Sequence, residues 1–313
     1  MPGSIARAAL RARLSGGQLI VAPGVFDGIS AHLVARLGFP AGYLTGAGVA
    51  ASGFGLPDIG LVTQTEMAER ARMLTRVLGD VPLIADADTG YGAPLNVVRT
   101  VQEYEAAGVA AIQLEDQAFP KKCGHLPDKE LIEAGEFVAK LDAALDARTD
   151  PDLVVVARTD ARGPLGIDAA IARANAYARA GADVIFVEAP RDAGEVERIA
   201  KEVTAPLLIN MVVGGLTPIQ SPERLAELGY AIAIYPTQPL MGAAAAMVTG
   251  LAELAGLTGL AGSAGPDPRG LLPSTPAELF GLVGLGEWSQ LPGPGSLPGD
   301  GADERHDLGR EQP

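Results

Sequence analysis

Residues 82–92, P-L-I-A-D-A-D-T-G-Y-G, end an apolar run of strand length in two carboxylates, Asp86 and Asp88, and then break into glycine. Side chains alternate along a strand, so residues two apart point the same way. Two carboxylates sharing a direction repel each other and require a cation or a proton between them. Oxygen donors suit a hard divalent ion, Mg²⁺ in the first instance, with Mn²⁺ as its substitute. The bland alternative is two solvated loop acids. The company the pair keeps weighs against it.

A second cluster is Lys121-Lys122-Cys123-Gly124-His125. Nearby cations favour thiolate, and the adjacent glycine leaves the backbone free to move, so Cys123 reads as reactive rather than as a small buried hydrophobe. Metal ligation by Cys123 and His125 is a rival reading. The other candidate donors here are oxygens, which suit a harder ion. His32 falls on an early helical stretch and reads as structural, and His306 lies near the C-terminal end.

Positioning these groups falls to a pattern that repeats from Gln18 onward: a short apolar run, a loop, then a helical period. The apolar runs are residues 19–22, 42–45, 83–85, 110–114, 153–157, 184–187, 207–209 and 231–235. Amphipathic stretches such as 95–107, 137–147 and 168–180 lie between them, several closing on a glycine suited to a left-handed cap, at Gly38, Gly108, Gly181 and Gly229. Eight nearly all-apolar strands alternating with helices imply parallel strands covered by helices. A closed (β/α)₈ TIM barrel fits that count better than an open doubly wound sheet, and no G-x-G-x-x-G follows the first strand.

A barrel carries its chemistry at the carboxyl ends of its strands. The second run is followed by Thr45-Gly46-Ala47-Gly48, a bare backbone suited to close approach by an anion. The third ends in Asp86 and Asp88, and the fourth in Glu115 and Asp116 ahead of the cysteine loop. The fifth ends in Arg158, Thr159 and Asp160, the sixth in Glu188, the seventh in Asn210 and the eighth in Tyr235-Pro236-Thr237. A chain needing only stability has no reason to deliver polar groups so regularly at one end.

The totals bound the rest. With 313 residues, 48% of them hydrophobic, the chain can bury one large core or two modest ones. A formal charge of −14 argues against nucleic acid or an anionic membrane as partner, but not against a small anionic substrate, since a metal and a few arginines reverse the sign locally. One cysteine excludes an intrachain disulfide and fits a reducing, cytoplasmic setting. No apolar run is expected to reach membrane-spanning length. Composition divides the chain into a catalytic barrel over 1–256 and a helical extension over 257–291. The extension opens on the glycine-, proline- and serine-rich stretch 258–274 and turns helical over 277–288. Residues 292–313 are polar, rich in proline and glycine and without period, and are expected to be disordered.

Across residues 23–255 the chain resembles the isocitrate lyase and phosphoenolpyruvate mutase superfamily. The matching phrases are T-G-A-G-V-A-A-S at 45–52, G-L-P-D-I-G at 55–60, A-D-A-D-T-G-Y-G at 85–92, L-E-D-Q at 114–117, K-K-C-G-H at 121–125, V-A-R-T-D at 156–160 and N-M-V-V-G-G-L-T-P at 210–218. Their order and spacing together are specific where each alone is weak. The K-K-C-G-H loop resembles the carbon–carbon lyase signature. The 210–218 phrase resembles the branch that holds methylisocitrate lyases, dimethylmalate lyases and carboxyphosphonoenolpyruvate mutase.

The resemblance implies Mg²⁺ at Asp86 and Asp88, with Asp58 and Glu115 reaching it through water. It implies Thr45, Gly46 and Ala47 on the hydroxy- or keto-acid end, and Arg158 in a bidentate fork on a carboxylate. Gly124, His125, Glu188 and Asn210 would line the pocket, Tyr43 would meet the substrate hydroxyl, and Cys123 would act as general acid. It further implies dimers or tetramers that exchange the eighth helix, here residues 241–254.

The expected function is Mg-dependent carbon–carbon cleavage of a 2-hydroxy di- or tricarboxylate, with 2-methylisocitrate ahead of substituted malates and oxaloacetate by family frequency. A carboxyphosphonoenolpyruvate-type phosphonomutase and a 2-keto diacid decarboxylase or hydrolase stay open. Three departures bear on the choice. Val213 stands where the branch commonly has an acid. Thr237-Gln238-Pro239 replaces a serine-containing turn. The stretch 241–247 lacks the arginine that methylisocitrate lyases place there.

Overall fold

The computed structural model describes residues 3–257 and 271–291. The expected disordered stretch 292–313, and most of the glycine- and proline-rich stretch 258–274, lie outside the described residues. Eight parallel strands close into one barrel in chain order. They are β1 (Ile20–Val25), β2 (Gly42–Leu44), β3 (Leu83–Asp86), β4 (Ala111–Glu115), β5 (Val154–Thr159), β6 (Val184–Val187), β7 (Leu207–Asn210) and β8 (Ile232–Tyr235). The ring closes by pairing β8 on β1, with Ile20 opposite Ile232 and Pro23 opposite Tyr235.

Two apolar layers hold the ring. Ala22, Tyr43, Ile84, Val156, Phe186, Leu208 and Ile234 fill its interior, while the opposite strand faces pack against the helices around Val97, Leu114, Phe137, Leu141 and Ile209. Alternation on strands buried on both faces explains the nearly continuous apolar runs of the sequence. β1 runs three residues further than expected, through Gly24, where a Cβ would collide with the carbonyl of Pro236. Glycine thus lets the first strand pass beneath the loop after the last.

The helices are α1 (Ser4–Ser15), α2 (Gly28–Arg36), α3 (Gly46–Val49), α4 (Gln64–Leu78), α5 (Pro94–Ala107), α6 (Ala134–Ala147) and α7 (Arg162–Leu165). They continue with α8 (Ile167–Arg179), α9 (Ala193–Glu202), α10 (Pro222–Glu227) and α11 (Gln238–Leu257), and, past the undescribed stretch, α12 (Pro276–Gly281) and α13 (Leu285–Trp288). A single helix was expected over 277–288. Gly284, at φ 83°, divides it in two. α1 plugs the amino-terminal mouth of the barrel, where fully buried Arg7 donates to the carbonyls of Val109 and Glu105 and to Asp150 Oδ2 at 3.0 Å.

The expectation that no apolar stretch reaches membrane-spanning length is overturned by Gln238–Gly256. Its 19 residues have a mean hydropathy of 1.3 and carry one charge, Glu253, so the helix is long and apolar enough by length and composition. Read residue by residue, Gly242, Thr249 and Glu253 interrupt the run; averaged along a helix they do not. Only 6% of the stretch is buried.

Candidate active site

The acid side of the site is built at the ends of β2, β3 and β4. Asp86 closes β3, but Asp88 lies beyond the strand at φ 48°. The two carboxylates therefore meet through a left-handed turn and not through strand alternation, which corrects the reason given for their pairing. The Asp88 N–H donates to Asp86 Oδ1 at 3.1 Å, and the Gly46 N–H to Asp86 Oδ2 at 3.3 Å. Gln113, opposite Asp86 on β4, donates to Asp86 and accepts from the Tyr43 hydroxyl at 3.2 Å. Burial, reinforced by Asp86, pushes the Tyr43 phenol well above its ordinary range, so it stays protonated.

Lys121 joins this group from the cysteine loop. Its Nζ lies 2.5 Å from Asp58 Oδ1 and 2.7 Å from Asp88 Oδ1. Burial works against the ammonium, yet Asp58, Asp88, Glu115 and Asp86 outweigh it and hold Lys121 well above the usual lysine range. Burial lifts Asp88 to about 7, Lys121 opposing and Asp86 and Asp58 adding to the rise. Sequence reasoning counted Lys121 only as a neighbour of the thiol. The missed signal was the three acids already assigned to one spot, which demand a nearby cation.

Arg158, at the end of β5, is a second hub. Asp160 takes one edge of its guanidinium, at 2.8 Å to Nε and 3.0 Å to Nη2. Glu115 lies 3.2 Å from Nη1 and Glu188 3.6 Å from Nη2, with the Phe186 ring beneath at 5.3 Å. The fork expected to grip a substrate carboxylate is thus already occupied along one edge. What remains is the Nη1–Nη2 edge, where Glu115 and Glu188 compete. The sequence alone assigns Asp160 no role; a bidentate partner two residues along a strand is legible only once its side of the barrel is known. Behind it, Asp116 accepts from Thr159, Tyr177, Arg173 and the Asp160 N–H, fixing the end of β5.

Across the barrel mouth, Asn210 at the end of β7 donates to Glu188 Oε2 at 3.2 Å. Its Nδ2 also lies 3.3 Å from His125 Nε2. His125 Nδ1 accepts from the Leu216 N–H at 3.1 Å, so the ring proton belongs on Nε2, facing Glu188 at 3.6 Å. Burial lowers the His125 pKa and keeps the ring neutral.

Cys123 is half-buried, with its N–H donating to the Asp58 carbonyl at 3.0 Å. The thiolate expected from its basic neighbours does not form. Burial, aided by Asp58, pushes the thiol up to about 12 and outweighs the opposing pull of Lys121 and Arg158.

Cys123, Gly124, His125, Tyr43, Thr45, Ala47, Asp58, Asp86, Arg158, Glu188 and Asn210 all line one cavity of about 40 Å³, together with Phe186, Val212, Pro236, Thr237 and Pro276. Gly46, Asp58 and Asp88 meet again in a neighbouring crevice. The Cys123 loop lies down on this site: Gly124 is so close to the barrel that a Cβ there would stand 2.5 Å from Arg158 Nη2 and 2.6 Å from Glu188 Cγ. Pro276 belongs to α12, so the C-terminal extension contributes to the wall, which composition gave no reason to expect.

The donors fit a hard divalent ion. Six buried carboxylates, Asp58, Asp86, Asp88, Glu115, Asp160 and Glu188, face only three buried cations, Lys121, Lys129 and Arg158. Asp88 Oδ1 and both Glu115 oxygens lack a hydrogen bond, and Lys121, though only 2.7 Å from that Asp88 oxygen, is not aligned to supply one. Among the described residues, no three His, Cys, Asp or Glu side chains gather closely enough to ligate an ion directly. The set suits an ion held by one or two carboxylates and otherwise by water, the habit of Mg²⁺.

The sequence profile of the phosphoenolpyruvate phosphomutase family matches residues 10–255. The chain is 51% identical over 241 residues to 2,3-dimethylmalate lyase of Eubacterium barkeri, covering 77% of this chain and 83% of that one. It is 46% identical over 253 residues to 2-methylisocitrate lyase of Aeropyrum pernix, covering 81% and 80%. A crystal structure of 2,3-dimethylmalate lyase superposes with a TM-score of 0.78 at 39% identity, over 91% of this chain and 93% of the other. On this likeness and on a barrel whose strand ends carry the expected residues, the chain belongs to the phosphoenolpyruvate mutase and isocitrate lyase superfamily, in its methylisocitrate and dimethylmalate lyase branch.

Proposed function

We propose that the protein is a Mg²⁺-dependent carbon–carbon lyase that cleaves an alkyl-substituted malate to a 2-keto acid and a shorter carboxylate. The observation that carries the choice is that Arg158 is the one cation among the residues lining the cavity, and it is already shared with three acids. A tricarboxylate such as 2-methylisocitrate would find no clamp for its third charge. Phe186, Val212, Pro236 and Pro276 offer apolar wall for methyl groups instead. Val213 is exposed and turned away from the cavity that Val212 lines, so no side chain there reaches a substrate carboxylate. These features move substituted malates ahead of 2-methylisocitrate, as does the 51% identity to a 2,3-dimethylmalate lyase.

In this reading Asp86 and Asp88, with Asp58 nearby, hold the ion. Bound there, it supplies Lewis-acid stabilisation of negative charge on the substrate hydroxyl oxygen. Thr45 and Ala47 position the hydroxy-acid end and Arg158 the far carboxylate. Tyr43 stays protonated, its hydroxyl directed by Gln113. The hydroxyl proton leaves to the lining carboxylate of Asp58, and the adjacent C–C bond breaks as the 2-keto acid forms. The electron pair of that bond passes to the departing fragment, and the Cys123 thiol protonates its carbon. Loop closure excludes water while this happens. From 2,3-dimethylmalate the products would be pyruvate and propionate.

The oligomer we propose exchanges α11. Met247, Leu251 and Leu254 on that helix are 58%, 66% and 54% exposed. On the barrel wall, Val21, Leu33, Leu37, Phe39 and Tyr235 line an apolar groove of about 510 Å³ beside β1 and β8, where an eighth covering helix belongs. The first turns of α11 pack on this chain through Leu240 and Ala244, while its exposed far half and the groove are complementary across two copies. The division into a barrel over 1–256 and an extension over 257–291 is kept, the extension closing the cavity with Pro276. The working compartment proposed is the cytoplasm, where the single thiol stays reduced.

The test is pyruvate release from 2,3-dimethylmalate and 2-methylisocitrate and oxalate release from oxaloacetate, with Mg²⁺ and with chelator, alongside ³¹P NMR of carboxyphosphonoenolpyruvate turnover. Chelator should abolish activity and dimethylmalate should lead. A higher kcat/KM on 2-methylisocitrate, or a new phosphorus–carbon bond, would discard the substrate assignment.

A further inference from the structure

Residues 117–131 leave the barrel and return as one excursion, closed at its stem by the antiparallel bridge of Gln117 with Leu131 and by the Ala118 N–H donating to the Glu130 carbonyl. Cys123 and Gly124 sit at the tip. Gly124 lies so close to the barrel that a Cβ would stand 2.5 Å from Arg158 Nη2 and 2.6 Å from Glu188 Cγ. The outer face of the excursion is not packed. It borders a cavity of about 600 Å³ lined by His125, Leu126, Asp128, Lys129, Arg191 and Leu216. No apolar side chain of residues 118–130 is among the buried core, so apolar burial does not hold the tip down and polar ties must.

One of those ties is Lys129, on the returning limb and outside the residues assigned to the reaction. Its buried Nζ donates to the Gly124 carbonyl at 2.6 Å and to Asp160 Oδ1 at 2.8 Å. That same Asp160 oxygen accepts from Arg158 Nη2 at 3.0 Å. Asp160 cannot swing to follow the loop, because its backbone N–H is held by Asp116 Oδ1 at 2.9 Å and Arg158 grips both its oxygens. The aliphatic stem of Lys129 rests near Gly163 at the start of α7, where a Cβ would lie 3.6 Å from Lys129 Cε.

We propose that Lys129 is the latch of the cysteine loop. It is a positioning residue whose ammonium ties the tip carbonyl of Gly124 to Asp160, so that loop closure and the aim of Arg158 are set by one carboxylate oxygen. A charge-assisted hydrogen bond is the strong kind, and its loss shifts an opening equilibrium by about tenfold or more. The proposal rests on the reading that this loop closes over the site, but its test does not require turnover.

Cys123 is the only cysteine, so its alkylation reports loop opening directly. The rate of iodoacetamide modification is measured at pH 8 by mass spectrometry on the full chain, for wild type, Lys129→Met and Lys129→Arg, with a thermal melt of each. Lys129→Met should alkylate about tenfold faster while its melt still shows a folded barrel, since Arg158 continues to neutralise Asp160. Lys129→Arg, which keeps charge and donors, should stay near the wild-type rate. In the pyruvate assay Lys129→Met should lower kcat more than it raises KM. An unchanged alkylation rate in folded Lys129→Met overturns the latch. Should that variant not fold, Lys129→Gln is read in its place with the same two outcomes. Faster alkylation in a protein that releases no pyruvate from any substrate would leave the latch standing and discard the lyase reading.

Discussion

The Lys121 ammonium lies 2.7 Å from Asp88 Oδ1, so a cation carried by the cysteine loop reaches into the acid cluster proposed to hold the metal. Loop position and acid-side charge balance are thereby linked. Removing Lys121 leaves Asp58 and Asp88 buried without their shared partner, and breaking a buried pair from one side costs about 3–5 kcal/mol. Lys121→Met is expected to melt well below the wild type in chelator and to regain much of the loss in millimolar MgCl₂. Thermal melts with and without Mg²⁺ decide it. Equal melts for the two proteins in chelator would show that the acids do not depend on Lys121.

Cys123→Ser should retain substrate-induced stabilisation and lose cleavage by about 10²–10⁴-fold, the usual contribution of a general acid. The pH behaviour follows from the raised thiol. Between its ordinary value near 9 and about 12 the unfolded chain has lost the proton while the folded chain keeps it. Stability therefore falls as pH rises through that window and is unaffected by this group below it. Cys123→Ser should remove that part of the alkaline decline. Turnover by the serine variant at the wild-type rate would end the general-acid assignment.

Most of the fold was legible because each element carried its own signal. The strands announced themselves as apolar runs and the helix ends as glycines such as Gly108, at φ 91°. The site was legible as a list, since a barrel collects strand ends at one mouth. Pairings were not. Nothing in the spacing says that Asp160 occupies the fork of Arg158, or that Lys121 turns toward Asp58 rather than toward the thiol, because both depend on where side chains cross the barrel. Asp88 was grouped correctly for an incorrect reason: strand alternation was assumed where a positive φ does the work. Pro276 was out of reach altogether, because its contact with the cavity spans more than 35 residues from the last strand.

Gly124→Ala tests how tightly the loop closes. The added methyl would meet the Arg158 guanidinium and the Glu188 side chain at 2.5–2.6 Å, so the tip must lift by a few tenths of an ångström or more. A misplacement near 1 Å can cost about 10²-fold in rate. The variant should fold normally and lose most of its kcat/KM, with Cys123 alkylating faster than in the wild type. Full activity with normal alkylation would mean that the closed arrangement is not the reactive one.

The exchange of α11 makes a prediction that separates it from a helix merely lying exposed. Leu251 on the helix is 66% exposed, and Leu37, at the groove, is 72% exposed. Neither contributes to its own barrel core. Substituting either by Glu should therefore leave the monomer fold and its circular dichroism unchanged, since surface substitutions usually alter stability by only about ±0.5 kcal/mol. In an exchanged dimer each change would be buried twice, and an unpaired charge in an apolar contact is expelled. Light scattering after size exclusion should show wild type as a dimer or tetramer and both variants shifted toward monomer, the helix variant and the groove variant alike. Dissociation by Leu251→Glu but not by Leu37→Glu would place the helix on some other surface. A wild-type monomer would remove the exchange altogether.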